Sequence, residues 1–109
     1  MNLERYTEKT QSILQASQTL ALGHGHQKFL PEHLLQAMLL DQDDLVQKLV
    51  HLCDGNIQIL SGEIKQVIDR IPSVEGSGAG QISLSQELAR IFLLAEKISD
   101  QNSDQFVTV

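Results

Sequence analysis

Tryptophan is absent, and the aromatic side chains amount to one tyrosine and three phenylalanines in 109 residues. A core with so few rings must be built from Leu, Ile, Val and Ala, which favours helices packed on helices. The single cysteine, Cys53, excludes an internal disulfide and a multi-cysteine zinc site. Basic residues are few, 8 Lys and Arg against 14 Asp and Glu, and the net charge of −6 argues against a nucleic-acid partner. Long apolar runs are missing too. The longest, residues 91–95, falls far short of the roughly 20 residues that cross a bilayer, so no membrane partner is expected. The opening, MNLERYTEKT, lacks the apolar segment of a secretory leader, which makes the cytoplasm the expected location. What remains is ordinary for a small soluble domain: 41% hydrophobic and 20% charged residues.

The apolar residues recur at helical steps. Tyr6, Thr10, Ile13, Leu14, Ser17, Leu20 and Ala21 share one helical face, with Thr7 as the cap and Gly23 and Gly25 at the end. Pro31 suits the first turn of a second helix, with Glu32 beside its positive end and Leu34, Leu35, Met38 and Leu39 as its stripe. The acidic run 41–44 closes that helix and opens a third, in which Leu45, Val46, Leu49 and Val50 are expected to face inward. After a turn at residues 53–56, a fourth runs through Ile57, Leu60, Ile64, Val67, Ile68 and Ile71, and Pro72 stops it. Residues 72–83, rich in Gly and Ser, read as a flexible connector. A fifth helix follows, capped by Ser85 or by a Ser83–Gln86 capping box. No alternating pattern predicts a strand, so the fold class is all-α.

The fifth helix is unusual. Leu88, Ile91, Phe92, Ala95 and Ile98 make a normal inward stripe, and Leu93 and Leu94 widen it. A helix apolar around most of its circumference is buried on two sides, as a central helix would be, or lines a groove for an apolar segment with one of them.

The chain also repeats itself at an offset of about 78 residues. Thr7-Glu8-Lys9 before one long helix matches Ser85-Gln86-Glu87 before another, and Phe29-Leu30-Pro31 matches Phe106-Val107-Thr108 with a one-residue gap. The second copy stops at Val109, where the counterpart of Glu32-His33-Leu34-Leu35 is expected, so the second repeat reads as incomplete.

With those residues in hand, the chain resembles a known family. The stretch TEKTQSILQASQTLALGHGHQKFLPEHLLQAML is similar to the first repeat of the Clp amino-terminal domain, and RIPSVEGSGAGQISLSQELARIFLLAEKI resembles the middle of that domain in the ClpB branch. The resemblance implies a pseudo-twofold helical bundle over residues 1–109: repeat one to about residue 71, a linker at 72–83, and a partial second repeat from 84. It implies a module that captures unfolded or aggregated segments and hands them to a hexameric AAA+ pore, working with a chaperone of the Hsp70 type. ATP and magnesium would act elsewhere in the parent, with no cofactor in this chain and no enzyme activity of its own. The alternative within the family is a ClpC- or ClpA-type domain that docks a folded adaptor.

The same resemblance carries over site residues. Thr7 and Asp104 match polar positions tied to substrate handling, and Phe92 and Leu94 are the choice for the groove wall, on the surplus apolar surface of the fifth helix as much as on the resemblance. The ordinary role of Thr7 is a helix cap, and that of Asp104 a loop or cap carboxylate. An uncovered second repeat also predicts self-association through the fifth helix or a disordered end. A small hydrolase using His24, His26 and Asp41 is the rival from another class, and His24, His26 and His33 raise the question of a metal. Both are weak: two close histidines without a spaced third ligand make a poor site. Asp41, Asp43 and Asp44 open like a calcium loop, but Val46 stands where glycine is needed. Gly76, Gly78 and Gly80 lack the strand and GK[ST] of a phosphate loop. Cys53 is expected as a small buried hydrophobe. No catalytic constellation is found.

Overall fold

The computed structural model describes residues 3–73, 82–102 and 105–109. A short 3-10 turn at Leu3–Arg5 precedes helix α1, Glu8–Gly23. Strand β1 is Lys28–Phe29, followed by α2, Pro31–Leu40, α3, Leu45–Leu52, and α4, Ile57–Asp69. Strand β2, Ser83–Leu84, leads into α5, Gln86–Gln101. The architecture is an all-α bundle, with helix starts and stops where capping chemistry predicts them. The Thr7 hydroxyl accepts the Thr10 N–H at 3.2 Å, the Asn56 side-chain Oδ1 that of Ile59 at 3.1 Å, and the Ser85 hydroxyl that of Leu88 at 3.1 Å. Ser85 is therefore the cap of α5, in preference to the Ser83–Gln86 box.

The C-terminus of α1 is closed by a double reverse hydrogen bond, His26 N–H to Ala21 C=O and Gly25 N–H to Leu22 C=O, both 3.0 Å. That closure requires a left-handed residue, and Gly25 supplies it at φ 72°. α3 ends the same way, with Asp54 left-handed at φ 61° and Gly55 N–H on Val50 C=O at 2.8 Å.

Two strands appear where none was expected. Each is two residues long, too short to show a period in sequence. β1 and β2 pair in parallel, Lys28 with Ser83 and Phe29 with Leu84, and Tyr6 forms an isolated parallel bridge with Val107. These two pairings are reciprocal. The residues leading into α5 pair with the segment after α1, and the residue leading into α1 pairs with the segment after α5. Ser85 N–H donates to Phe29 C=O, and Thr7 N–H donates to Val107 C=O, both at 3.0 Å. The repeat therefore runs without the expected gap, and Val107, not Phe106, is the counterpart of Phe29. Val107 is buried like Phe29, whereas Phe106 is 46% exposed.

Around these crossings sits the core: Tyr6, Leu14, Phe29, Leu88, Phe92 and Val107, with Leu34, Ile82 and Ala95 packed against it. Tyr6 thus acts ahead of α1 and not as part of its helical face. Most of the expected connector lies outside the described residues, but its end does not: Ile82 packs on the core and Ser83 is paired.

α2 lies against α1, α3 and α4. α3 departs from expectation. None of its residues is buried; Leu45 and Leu49 are exposed, and of its expected apolar stripe only Val46 and Val50 reach half-burial. α3 sits at the rim of the bundle, with α2 and α4 as its main neighbours. Cys53 at its end is exposed for the same reason.

Candidate functional site

α5 is covered on one side only. Leu88 and Phe92 are buried, whereas Ile91, Leu94 and Ile98 are 43%, 57% and 47% exposed. The expectation of a central helix buried on both sides is not met, because no described element lies over the outer face. Ile91, Leu94 and Ile98 are spaced three and four residues apart, so they form one apolar stripe. Leu93, at 69% exposure, lies off that stripe between Ala89, Arg90 and Lys97 on the same turns.

The stripe borders a cavity of about 440 Å³ between α1, α2, α5 and the C-terminal residues. Tyr6, Leu14 and Phe92 form its buried lining, and Ile91, Ile98 and Phe106 its exposed edge. The Tyr6 and Phe92 rings meet edge to face, with centroids 6.2 Å apart and planes at 82°. Thr10 also lines the cavity, and its hydroxyl shares a 2.8 Å hydrogen bond with that of Thr7.

The four expected site residues are therefore not equivalent. Thr7 caps α1 and touches the site through Thr10. Phe92 lines the cavity but is core, only 5% exposed. Leu94 stands outside the cavity, on the open stripe. Asp104 lies outside the described residues. Ion pairs frame the region: Arg5 bonds Asp100 at 2.6 Å, tying the N-terminal turn to α5, and Lys9 reaches Asp41 at 2.5 Å and Asp43 at 2.7 Å. The Asp100 hydrogen bond raises the Arg5 pKa, and hydrogen bonds to Asp41 and Asp43 raise that of Lys9.

The histidines have a structural use that the sequence did not disclose. His26 Nδ1 and His33 Nε2 are 2.8 Å apart, and both rings are buried. His33 Nδ1 accepts the Leu30 N–H at 3.0 Å, capping α2 from within. Both imidazoles are held neutral: burial first, then the neighbouring histidines, pushes His33 down to about 4 and lowers His26. The spacing from Leu30 to His33 was the available signal, since a polar side chain three residues after a helix start can bond back to its cap. Asp41, the third residue of the rival hydrolase, is engaged by Lys9. Among the described residues no group of three or more His, Cys, Asp or Glu could hold a metal ion. No helix among them is long and apolar enough to cross a membrane.

The family profile of the Clp repeat (R) N-terminal domain matches residues 5–109. The chain belongs to the Clp N-terminal domain family. Over its full length it is 38% identical to chaperone protein ClpB of Mesorhizobium japonicum and 39% identical to that of Rhodopseudomonas palustris, and it spans 12% of each. Against Rickettsia conorii ClpB the identity is 34% and the span 13%. The fold is that of the N-terminal domain of the ClpV1 ATPase from Escherichia coli, with a TM-score of 0.85 and 18% identity over 96% of this chain and 63% of that one. The crossings at Phe29–Leu84 and Tyr6–Val107 are reciprocal, the lead-in to each of α1 and α5 pairing with the segment that follows the other.

Proposed function

We propose that this Clp N-domain is the substrate-capture module of a ClpB-type disaggregase. It would hold exposed apolar segments of unfolded or aggregated proteins on α5 and pass them to a hexameric AAA+ pore. ATP and magnesium would act in modules outside these residues, with an Hsp70-type chaperone as the parent's partner in the cytoplasm. The observation that carries the reading is the open stripe Ile91–Leu94–Ile98 beside an apolar cavity. Fully burying a wet side chain of this size gains roughly 1.5–3 kcal/mol, and these three, near half exposure, each hold about half of that in reserve, a standing incentive to bind apolar chain. Identities of 38%, 39% and 34% to three ClpB proteins, over alignments that span all 109 residues, support the branch.

Binding on such a surface is weak and fast, since a flexible client loses entropy on ordering and the contact is small. The test is a titration of the labelled domain with reduced casein, followed by NMR. Graded, fast-exchange shifts at Ile91, Leu94 and Ile98 are expected. An α5 that stays silent to casein but locks one folded adaptor in a stoichiometric complex supports the ClpC- or ClpA-type alternative and refutes this one.

A further inference from the structure

One face of the scaffold occurs twice, and its two copies are filled in opposite ways. Aligning Tyr6 with Leu84 and Phe29 with Val107 sets Ser12, Ala16, Thr19 and Gly23 of α1 level with Arg90, Leu94, Lys97 and Gln101 of α5. All eight residues are exposed, and at each of the four positions α1 carries the smaller side chain. On α5 the result is a ridge centred on Leu94. On α1 it is a groove of about 570 Å³ between that helix and the end of α2. Ile13, Leu20, Ala37 and Leu40 make the groove apolar, and Leu40 stands exposed at its wall. A Cβ at Gly23 would meet no atom within 4 Å, so the groove is open at that end. We propose that the groove receives a second copy of this chain: α5 of one molecule, with Leu94 at its centre, seats between α1 and α2 of the next, head to tail.

Shape and charge both select that occupant. Helices pack ridge into groove, and their axes come closest where one side presents small residues. The groove has an acidic end. Glu8 lies one helical turn before Ser12 on the same face, and Asp41 lines the groove at the start of the acidic run. Lys9 pairs with Asp41 and Asp43, and Lys48 acts on Asp43 at longer range. Glu8, Asp41, Asp43 and Asp44 still outnumber those two cations. The ridge carries the complement, Arg90 and Lys97 beside Leu94. Antiparallel seating of Leu94 over Ala16 brings Lys97 toward Glu8 and leaves Glu87 toward the other end, where His24 lines the groove. The same charges oppose a twofold pair of α5 helices, because Arg90 of each copy would meet Lys97 of the other. A ridge-to-groove contact leaves one ridge and one groove unused, so copies add into a ring if the rotation closes and into an open string if it does not. The inference does not rest on the capture reading, since its receiving surface lies on α1 and α2.

The test is complementation between two blocked variants, followed by analytical ultracentrifugation. The parent chain is expected to associate reversibly, with a dissociation constant of roughly 1 mM. Leu94→Asp spoils the ridge and keeps the groove, whereas Ala16→Trp fills the groove and keeps the ridge. Both positions are exposed, so both proteins are expected to melt with the parent. Each alone is expected to associate at least about tenfold more weakly. Their equal mixture is expected to regain parent affinity and to stop at a heterodimer, because only one ridge and one groove remain. A second pair leaves ridge and groove intact: Glu8→Lys is expected to weaken association severalfold, and Lys97→Glu in the same chain to restore it. A parent that stays monomeric at its highest soluble concentration overturns the proposal, and so does a mixture that fails to associate. Association lost in Leu94→Asp but kept in Ala16→Trp assigns the ridge to a twofold α5 pair and is equally fatal. NMR shifts at Ala16 and Gly23 on adding reduced casein, in a protein that does not self-associate, give the groove to a client segment instead.

Discussion

Mild acid is expected to unfasten this domain through His33. The ring is fully buried, its Nδ1 accepts the Leu30 N–H, and its Nε2 faces His26 Nδ1. With Nδ1 an acceptor, Nε2 carries the hydrogen and donates to His26. A second proton would have to enter at Nδ1, setting N–H against N–H and leaving a buried cation. Hence the folded pKa falls to about 4 from the usual 6.5, through burial first and then His26 and His24. The unfolded chain binds the proton more readily, so the contribution is complete above pH 6.5 and is lost as pH falls toward 4. At about 1.4 kcal/mol per pH unit the full loss is roughly 3 kcal/mol, of which about 2 kcal/mol is gone by pH 5. Urea unfolding followed by circular dichroism at pH 7, 6 and 5 measures it above the range where most carboxylates titrate. His33→Gln keeps an acceptor for Leu30 and a donor for His26 without titrating, so its stability is expected to fall less steeply. The residual slope belongs to His26, which is also lowered, by burial and then by His24. Equal slopes in the two proteins, or an NMR titration placing His33 near 6.5, refute the reasoning.

The remaining expectations are simpler. Thr7→Ala and Ser85→Ala each lose a cap and about 1 kcal/mol, read as a melting shift of a few degrees; no shift in either removes the capping argument. Gly55→Ala places a methyl group 2.5 Å from Val50 Cγ1 and 3.0 Å from its carbonyl oxygen, forcing the α3–α4 turn apart. The expected cost is about 1–3 kcal/mol in chemical denaturation, and a neutral result contradicts the described turn. Leu88→Ala and Leu94→Ser separate core from surface. The first, at a fully buried position, costs about 2–5 kcal/mol. The second, at an exposed one, leaves stability within about 0.5 kcal/mol yet weakens casein binding severalfold; unaltered casein affinity counts against the stripe.

Helix order and caps were legible because they are local. Thr7, Pro31, Ser85 and the end at Gly25 act on bonds within a few residues of themselves, and each does in the structure what its chemistry dictates. Position in the bundle was not local. α3 has a clear apolar face, but whether Leu45 and Leu49 are covered depends on what lies across from them, which no periodicity encodes. The repeat was visible in its caps and misaligned at its aromatic, because Phe106 mimics Phe29 in type while Val107 replaces it in place. Spacing alone places Tyr6 on a helical face, yet it is the parallel bridge to Val107 that fixes its backbone beside the cavity. The His26–His33 bond needed a loop to fold back, a tertiary event prepared by the left-handed Gly25.

The internal repeat allows one more separation, between apolar surface that packing would cover and apolar surface that it would not. The pairings Tyr6–Val107 and Phe29–Leu84 set Ile13 of α1 equivalent to Ile91 of α5, and Ala16 equivalent to Leu94. Ile13, under α2, is 4% exposed, while Ile91, on the same scaffold without a covering helix, is 43% exposed. The wetness of Ile91 thus follows from what lies over it. Leu94 differs: Ala16 is exposed even with α2 in place. A leucine at a position whose twin stays open beside a packed helix is not there to be covered by the fold. Of the α5 stripe, Leu94 is therefore the side chain whose exposure matches that of its twin in α1, and the one on which a client-binding assay should weigh most.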